Sequence, residues 1–150
     1  IKHQTEKQTK IKLYFAGSGC MERKILDSAK DCTNIIFEGN KKYSEVDEYI
    51  RKSDFMIIPS LSDNLPTVGL ECLMNGVPLL LSTETGLAEY LTDGIEGYLF
   101  YPSEQGILDV FERVENNFSA HCCLGENAYK TYREKFTLET YCGQMLKILE

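Results

Sequence analysis

The sequence predicts an α/β fold in which a parallel sheet carries helices on both faces. Five short apolar runs alternate with stretches of helical spacing, the pattern that successive strand–helix–strand units produce. The run Leu79-Leu80-Leu81 is apolar at every position, as a strand covered on both faces requires. Polar and glycine residues follow the runs directly, at the sheet edge where such folds bind ligands.

Residues 1–10, IKHQTEKQTK, are polar and read as a linker remnant at the head of one domain covering 1–150. Ile11 to Ala16 forms the first strand, and Gly17-Ser18-Gly19 turns it into a helix from about Met21 to Lys30. A dinucleotide turn would need a third glycine at position 22, which is Glu22, so a plain strand-to-helix turn is an equal reading. Asn34 to Phe37 is the second strand, Tyr43 to Lys52 a helix and Asp54 to Ile58 the third strand. Thr83 to Ala88 imitates a flavodoxin phosphate loop but follows the fourth strand, where that loop does not belong. Asp93-Gly94 is a turn into the strand Tyr98 to Phe100. Amphipathic helices follow over 104–117 and 121–134, and Thr137 caps a last helix from Leu138 to Glu150.

Composition removes several function classes. At 150 residues, 43% hydrophobic and 26% charged, the chain is an ordinary globular domain with enough length for a core. A net charge of −7 opposes a nucleic-acid surface. No apolar run approaches the roughly 20 residues of a membrane span. The six cysteines form no C-x-x-C pair and only His3 and His121 could join them, so no metal site is expected. Free thiols in a reducing, cytoplasmic compartment are the expectation. A response-regulator domain would need acidic residues at the end of its first strand, and Phe15-Ala16-Gly17 has none.

The stretch Pro59 to Pro78, PSLSDNLPTVGLECLMNGVP, lies between the third and fourth strands. Pro66 suits the first turn of a helix, and Ser60, Ser62, Asp63 and Asn64 crowd the loop before it. Asp63 and Glu71 then stand near a helix N-terminus, whose unpaired N–H groups favour an anion such as phosphate. A ligand carrying both phosphate and hydroxyl groups fits that arrangement. A solvated helix residue is the plain alternative for Glu71.

This frame, Ser60, Asp63, Pro66, Leu70, Glu71, Gly76 and Pro78, resembles the donor motif of retaining GT-B glycosyltransferases of group 1. It departs at Asp63 where Glu is usual, at Asn64-Leu65 for Gly-Phe, at Thr67 for Asn and at Gly69 for an aliphatic residue. Thr85-Gly86-Leu87-Ala88-Glu89 and Asp93-Gly94-Ile95-Glu96-Gly97 are similar to the family's GGxPE and DGxxG patterns. The resemblance implies the Rossmann-like C-terminal half of a GT-B fold, binding a UDP- or GDP-linked sugar as substrate with no cofactor and no metal. It implies retaining sugar transfer to a glycan or lipid-linked acceptor in polysaccharide or glycoconjugate synthesis. Glu71 would hold the ribose hydroxyls, Asp63 the donor sugar, and the N–H groups of Leu65, Thr67 and Val68 the phosphates. Gly17 and Ser18, with Asn64, Thr85 and Gly86, would line the nucleotide cleft.

In the family an Arg and a Lys upstream neutralise the leaving diphosphate, and residues 1–10 carry no match to them. The chain, which opens at Ile1, is therefore expected to lack an N-terminal acceptor domain and to be inactive alone, the whole enzyme associating peripherally with a membrane. A non-catalytic nucleotide or sugar-nucleotide binding module is the alternative.

Overall fold

The computed structural model describes residues 10–149. The proposed linker remnant falls, Lys10 apart, outside the described residues, as does His3. Backbone contacts divide the chain into two compact units, one up to Val46 and one from Asp47 onward.

In the first unit β1 (Leu13–Ala16) pairs in parallel with β2 (Ile35–Gly39), with Leu13 opposite Ile35 and Phe15 opposite Phe37. β1 alternates half-buried and exposed residues, the period of two that a strand with one covered face shows. Helix α1 (Glu22–Asp31) packs against β2. α2 (Tyr43–Lys52) occupies the range that its spacing predicts, begins at the end of this unit and continues into the next.

The second unit is built on a parallel sheet in the order β3 (Met56–Ile58), β4 (Leu79–Ser82), β5 (Gly97–Phe100). Leu80 stands opposite Ile57 on one side and Tyr98 on the other, so β4 is central and buried at every residue. That is why its sequence is a continuous apolar run. α3 (Thr67–Met74) lies against β3, β4 and α5 (His121–Lys135). α4 (Glu104–Asn116) buries Val110, Phe111 and Val114, and the Ser103 side chain accepts the Gly106 N–H at 3.0 Å to cap it. α5 buries Leu124, Gly125, Ala128 and Thr131. Thr137 Oγ1 accepts the Thr140 N–H at 3.2 Å and opens α6 (Leu138–Leu149), the cap expected from sequence.

The parallel α/β expectation holds. Among the described residues the strands hydrogen-bond as a two-stranded and a three-stranded sheet, where alternation suggested one sheet of five. Alternation dictates parallel pairing but not which strands become neighbours.

One buried carboxylate ties the second unit together. Glu96, 6% exposed ahead of β5, accepts the Thr131 hydroxyl and the Thr92 N–H, each at 2.8 Å. A turn is thereby fastened to α5 with both carboxylate oxygens satisfied. Asp93, expected only as a turn residue, also accepts with both carboxylate oxygens from one guanidinium nitrogen of Arg113, at 2.8 and 2.9 Å.

Candidate functional site

β3 and β4 run in parallel, so the segments leaving them emerge at one edge of the sheet. There they pair again: Asp63 forms a parallel bridge with Thr85, and the Gly86 N–H donates to the Asp63 carbonyl at 2.9 Å. Asp63 is exposed, and its Oδ1 accepts the Leu65 N–H at 3.1 Å. This is the local turn that aspartate favours, in which a short carboxylate reaches the backbone two residues on.

Pro66 is buried and extended, with φ −62° and ψ 114°, and its carbonyl receives the Gly69 and Leu70 N–H groups. Its ring brings no N–H and no capping oxygen, so α3 starts without a side-chain cap. Among the described residues the N–H groups of Thr67 and Val68 meet no acceptor. Leu65 differs from them, because its N–H is already donated to Asp63. Asn64 and Thr67 are exposed beside this helix start, Val68 half-buried.

Glu71 sits on the second turn of α3 and is half-buried. Its carboxylate makes no hydrogen bond or ion pair among the described residues, while its carbonyl accepts from the backbone and side chain of Asn75. The neighbouring Cys72 is fully buried, and its thiol is pushed up to about 12, first by burial and then by the Glu71 charge.

The β4 side is packed more tightly than its sequence indicates. Thr85 is 3% exposed, and its hydroxyl donates to the Ser82 carbonyl at 2.9 Å. Thr85, expected to line the cleft, thus has its hydroxyl engaged inside its own loop. Ser82, also buried, accepts the Glu84 N–H at 3.1 Å. Gly86 opens a short 3-10 turn (Gly86–Tyr90), and a Cβ there would overlap the Asn64 carbonyl oxygen. Leu87 is fully buried, its Cδ2 lying 2.5 Å from where a Cβ on Gly69 would stand. Gly69, the family position usually held by an aliphatic side chain, leaves that space to Leu87.

Gly17 and Ser18 belong to the first unit, where the Gly17 N–H donates to the Gly39 carbonyl at 2.8 Å and Ser18 is exposed. Ser82 and Leu87 carry no sequence signal as part of the site; Gly69 does, as a small residue at a position that usually packs.

An open helix N-terminus with two nearby carboxylates at the carboxyl edge of a parallel α/β sheet has the chemistry to accept an anion and hydroxyl groups together. The family described as Glycosyl transferases group 1 matches residues 1–131, and the chain belongs to it. An uncharacterised glycosyltransferase of Methanocaldococcus jannaschii is 28% identical over 138 residues, 89% of this chain and 39% of that protein. The lipopolysaccharide 1,2-N-acetylglucosaminetransferase of Salmonella typhimurium is 30% identical over 79 residues, 51% of this chain and 21% of that enzyme. Among solved structures, Anabaena Alr3699/HepE in complex with UDP-glucose superimposes with a TM-score of 0.78 at 15% identity, over 99% of this chain and 43% of that one. That likeness shows a shared fold. The chain thus spans less than half the length of these proteins.

Among the described residues no helix is long and apolar enough to cross a membrane.

Proposed function

We propose that this chain is the donor-binding part of a retaining glycosyltransferase, taking a UDP- or GDP-linked sugar. The observation that carries this is the start of α3, where two unpaired N–H groups and the unpartnered carboxylate of Glu71 stand within one short helix. The N–H groups of Thr67 and Val68 take the diphosphate at the positive end of the helix. Glu71 accepts from the ribose hydroxyls, and Asp63 uses the carboxylate oxygen that Leu65 leaves free for the donor sugar. Such donors are held before reaction, so they cost no reorganisation as charge builds on the leaving diphosphate.

Likeness to HepE, crystallised with UDP and with UDP-glucose, supports the donor class. Relatives described as a lipopolysaccharide N-acetylglucosaminetransferase and a Vi polysaccharide biosynthesis protein support a glycan or lipid-linked acceptor. The acceptor domain, the cations for the leaving group and any peripheral membrane contact belong, in this proposal, to the rest of a longer protein. A cytoplasmic setting suits the six free thiols.

Calorimetric titration of residues 1–150 with UDP, GDP and ADP, and with UDP-glucose and GDP-mannose, tests the proposal. One nucleoside diphosphate binding in the micromolar to low millimolar range, with its sugar nucleotide at least as tight, is expected. Failure of all five ligands to bind would refute it.

A further inference from the structure

We infer that the segment leaving β4, from Ser82 to Leu87, positions the Asp63 loop, and that Gly86 is its central positioning residue. This rests on the donor-binding proposal and adds to it the device that aims one of its two carboxylates.

Asp63 and Asn64 are exposed, and Asp63 orients its own carboxylate only locally, through the Leu65 N–H. A backbone bond from the Gly86 N–H to the Asp63 carbonyl, within the Asp63–Thr85 bridge, ties this loop to the segment leaving β4. Gly86 makes the bond possible because its α-carbon lies against the Asn64 carbonyl, where any Cβ would overlap. Three further contacts stiffen the segment. Thr85 Oγ1 donates to the Ser82 carbonyl, the Glu84 N–H donates to Ser82 Oγ, and Leu87 fills the space over Gly69 on α3. Ser82, Thr85 and Leu87 are all nearly or fully buried, so the latch stands on the core of the second unit. Glu71 belongs to α3 and keeps its place by the helix itself. The latch therefore acts directly on the Asp63 loop, while Glu71 is carried by α3, which the latch meets through Leu87 at Gly69.

The test compares Gly86→Ala, Thr85→Val and Thr85→Ser with the wild-type chain. Gly86→Ala forces the loop away, Thr85→Val removes the inner hydrogen bond without adding bulk, and Thr85→Ser retains the hydroxyl. The first readout is the NMR order parameter of the amides at positions 65 and 86. It is expected to fall from about 0.85 to below about 0.6 in Gly86→Ala and Thr85→Val and to hold in Thr85→Ser, with α3 amides rigid throughout. The second is affinity for UDP-glucose and GDP-mannose against UDP and GDP. The sugar nucleotide should bind at least about tenfold more weakly in the two disruptive variants, a loss of about 1.4 kcal/mol or more, and should lose clearly more affinity than the free nucleotide does. Unchanged order at position 65, or equal weakening of both ligand types, overturns the inference. A wild-type chain that binds none of the ligands refutes donor binding, and the order parameters then still decide whether the latch holds Asp63. If Gly86→Ala does not fold, Thr85→Val with its Thr85→Ser rescue decides alone.

Discussion

Replacing Glu71 by glutamine removes a charge while keeping volume and helix propensity. In the structure the Glu71 carboxylate bonds to nothing among the described residues, while its backbone carbonyl accepts from the backbone and side chain of Asn75. The substitution therefore breaks no internal contact. Stability is expected to move by no more than about 0.5 kcal/mol, or a Tm change within about 2 °C for a chain of this size. A ribose held by the carboxylate would lose a charge-assisted hydrogen bond of about 1.5–3 kcal/mol, which is about a 10- to 150-fold loss of nucleotide affinity. Glutamine retains one carbonyl oxygen as acceptor, so the lower half of that range is expected. Calorimetry with the free nucleoside diphosphate, beside a thermal melt, makes the measurement. Affinity within a factor of two of wild type at an unchanged Tm would refute the assignment of Glu71 to the ribose.

Asp63→Asn keeps the oxygen that accepts from Leu65 and loses the charge, whereas Asp63→Ala loses both. Both should weaken binding of the sugar nucleotide while leaving the free nucleotide nearly unchanged; an effect from Ala alone would show that Asp63 only shapes its loop. Thr131→Val leaves one oxygen of buried Glu96 without its donor and is expected to cost about 1.5–3 kcal/mol, or about 3–12 °C in Tm, with nucleotide affinity unaffected. An unchanged melt would show that this bond does not hold the carboxylate. The buried Cys72 thiol titrates near about 12 in the fold against an ordinary value of 9.0. Its stabilising effect is thus fully present below about pH 9 and is lost progressively as pH rises toward 12, because the unfolded chain gives up this proton first. Urea unfolding between pH 8 and 10.5 should show wild type losing up to about 1.4 kcal/mol per pH unit more than Cys72→Ala, and parallel slopes would contradict that.

The class of fold, several element boundaries and the local setting of the two carboxylates are legible along the chain. α2 occupies Tyr43–Lys52, Thr137 caps α6, and the apolar run at β4 is buried throughout. These are legible because helical spacing, capping and strand burial act over a few residues along the chain. The motif placed Asp63 and Glu71 about a helix start for the same reason, as Pro66 and the turn before it are local chemistry. Other features arise only in the folded chain. Asp63 meets Thr85, Gly86 presses on Asn64, Leu87 takes the space that Gly69 leaves, and Thr131 satisfies Glu96. Each of these joins residues distant in sequence: the first three meet where the parallel pairing of β3 and β4 brings their loops to one edge, and the Thr131–Glu96 bond forms ahead of β5, where α5 packs on that strand. No local period encodes that meeting, so Thr85 read as a residue facing a ligand when its hydroxyl is spent inside the fold.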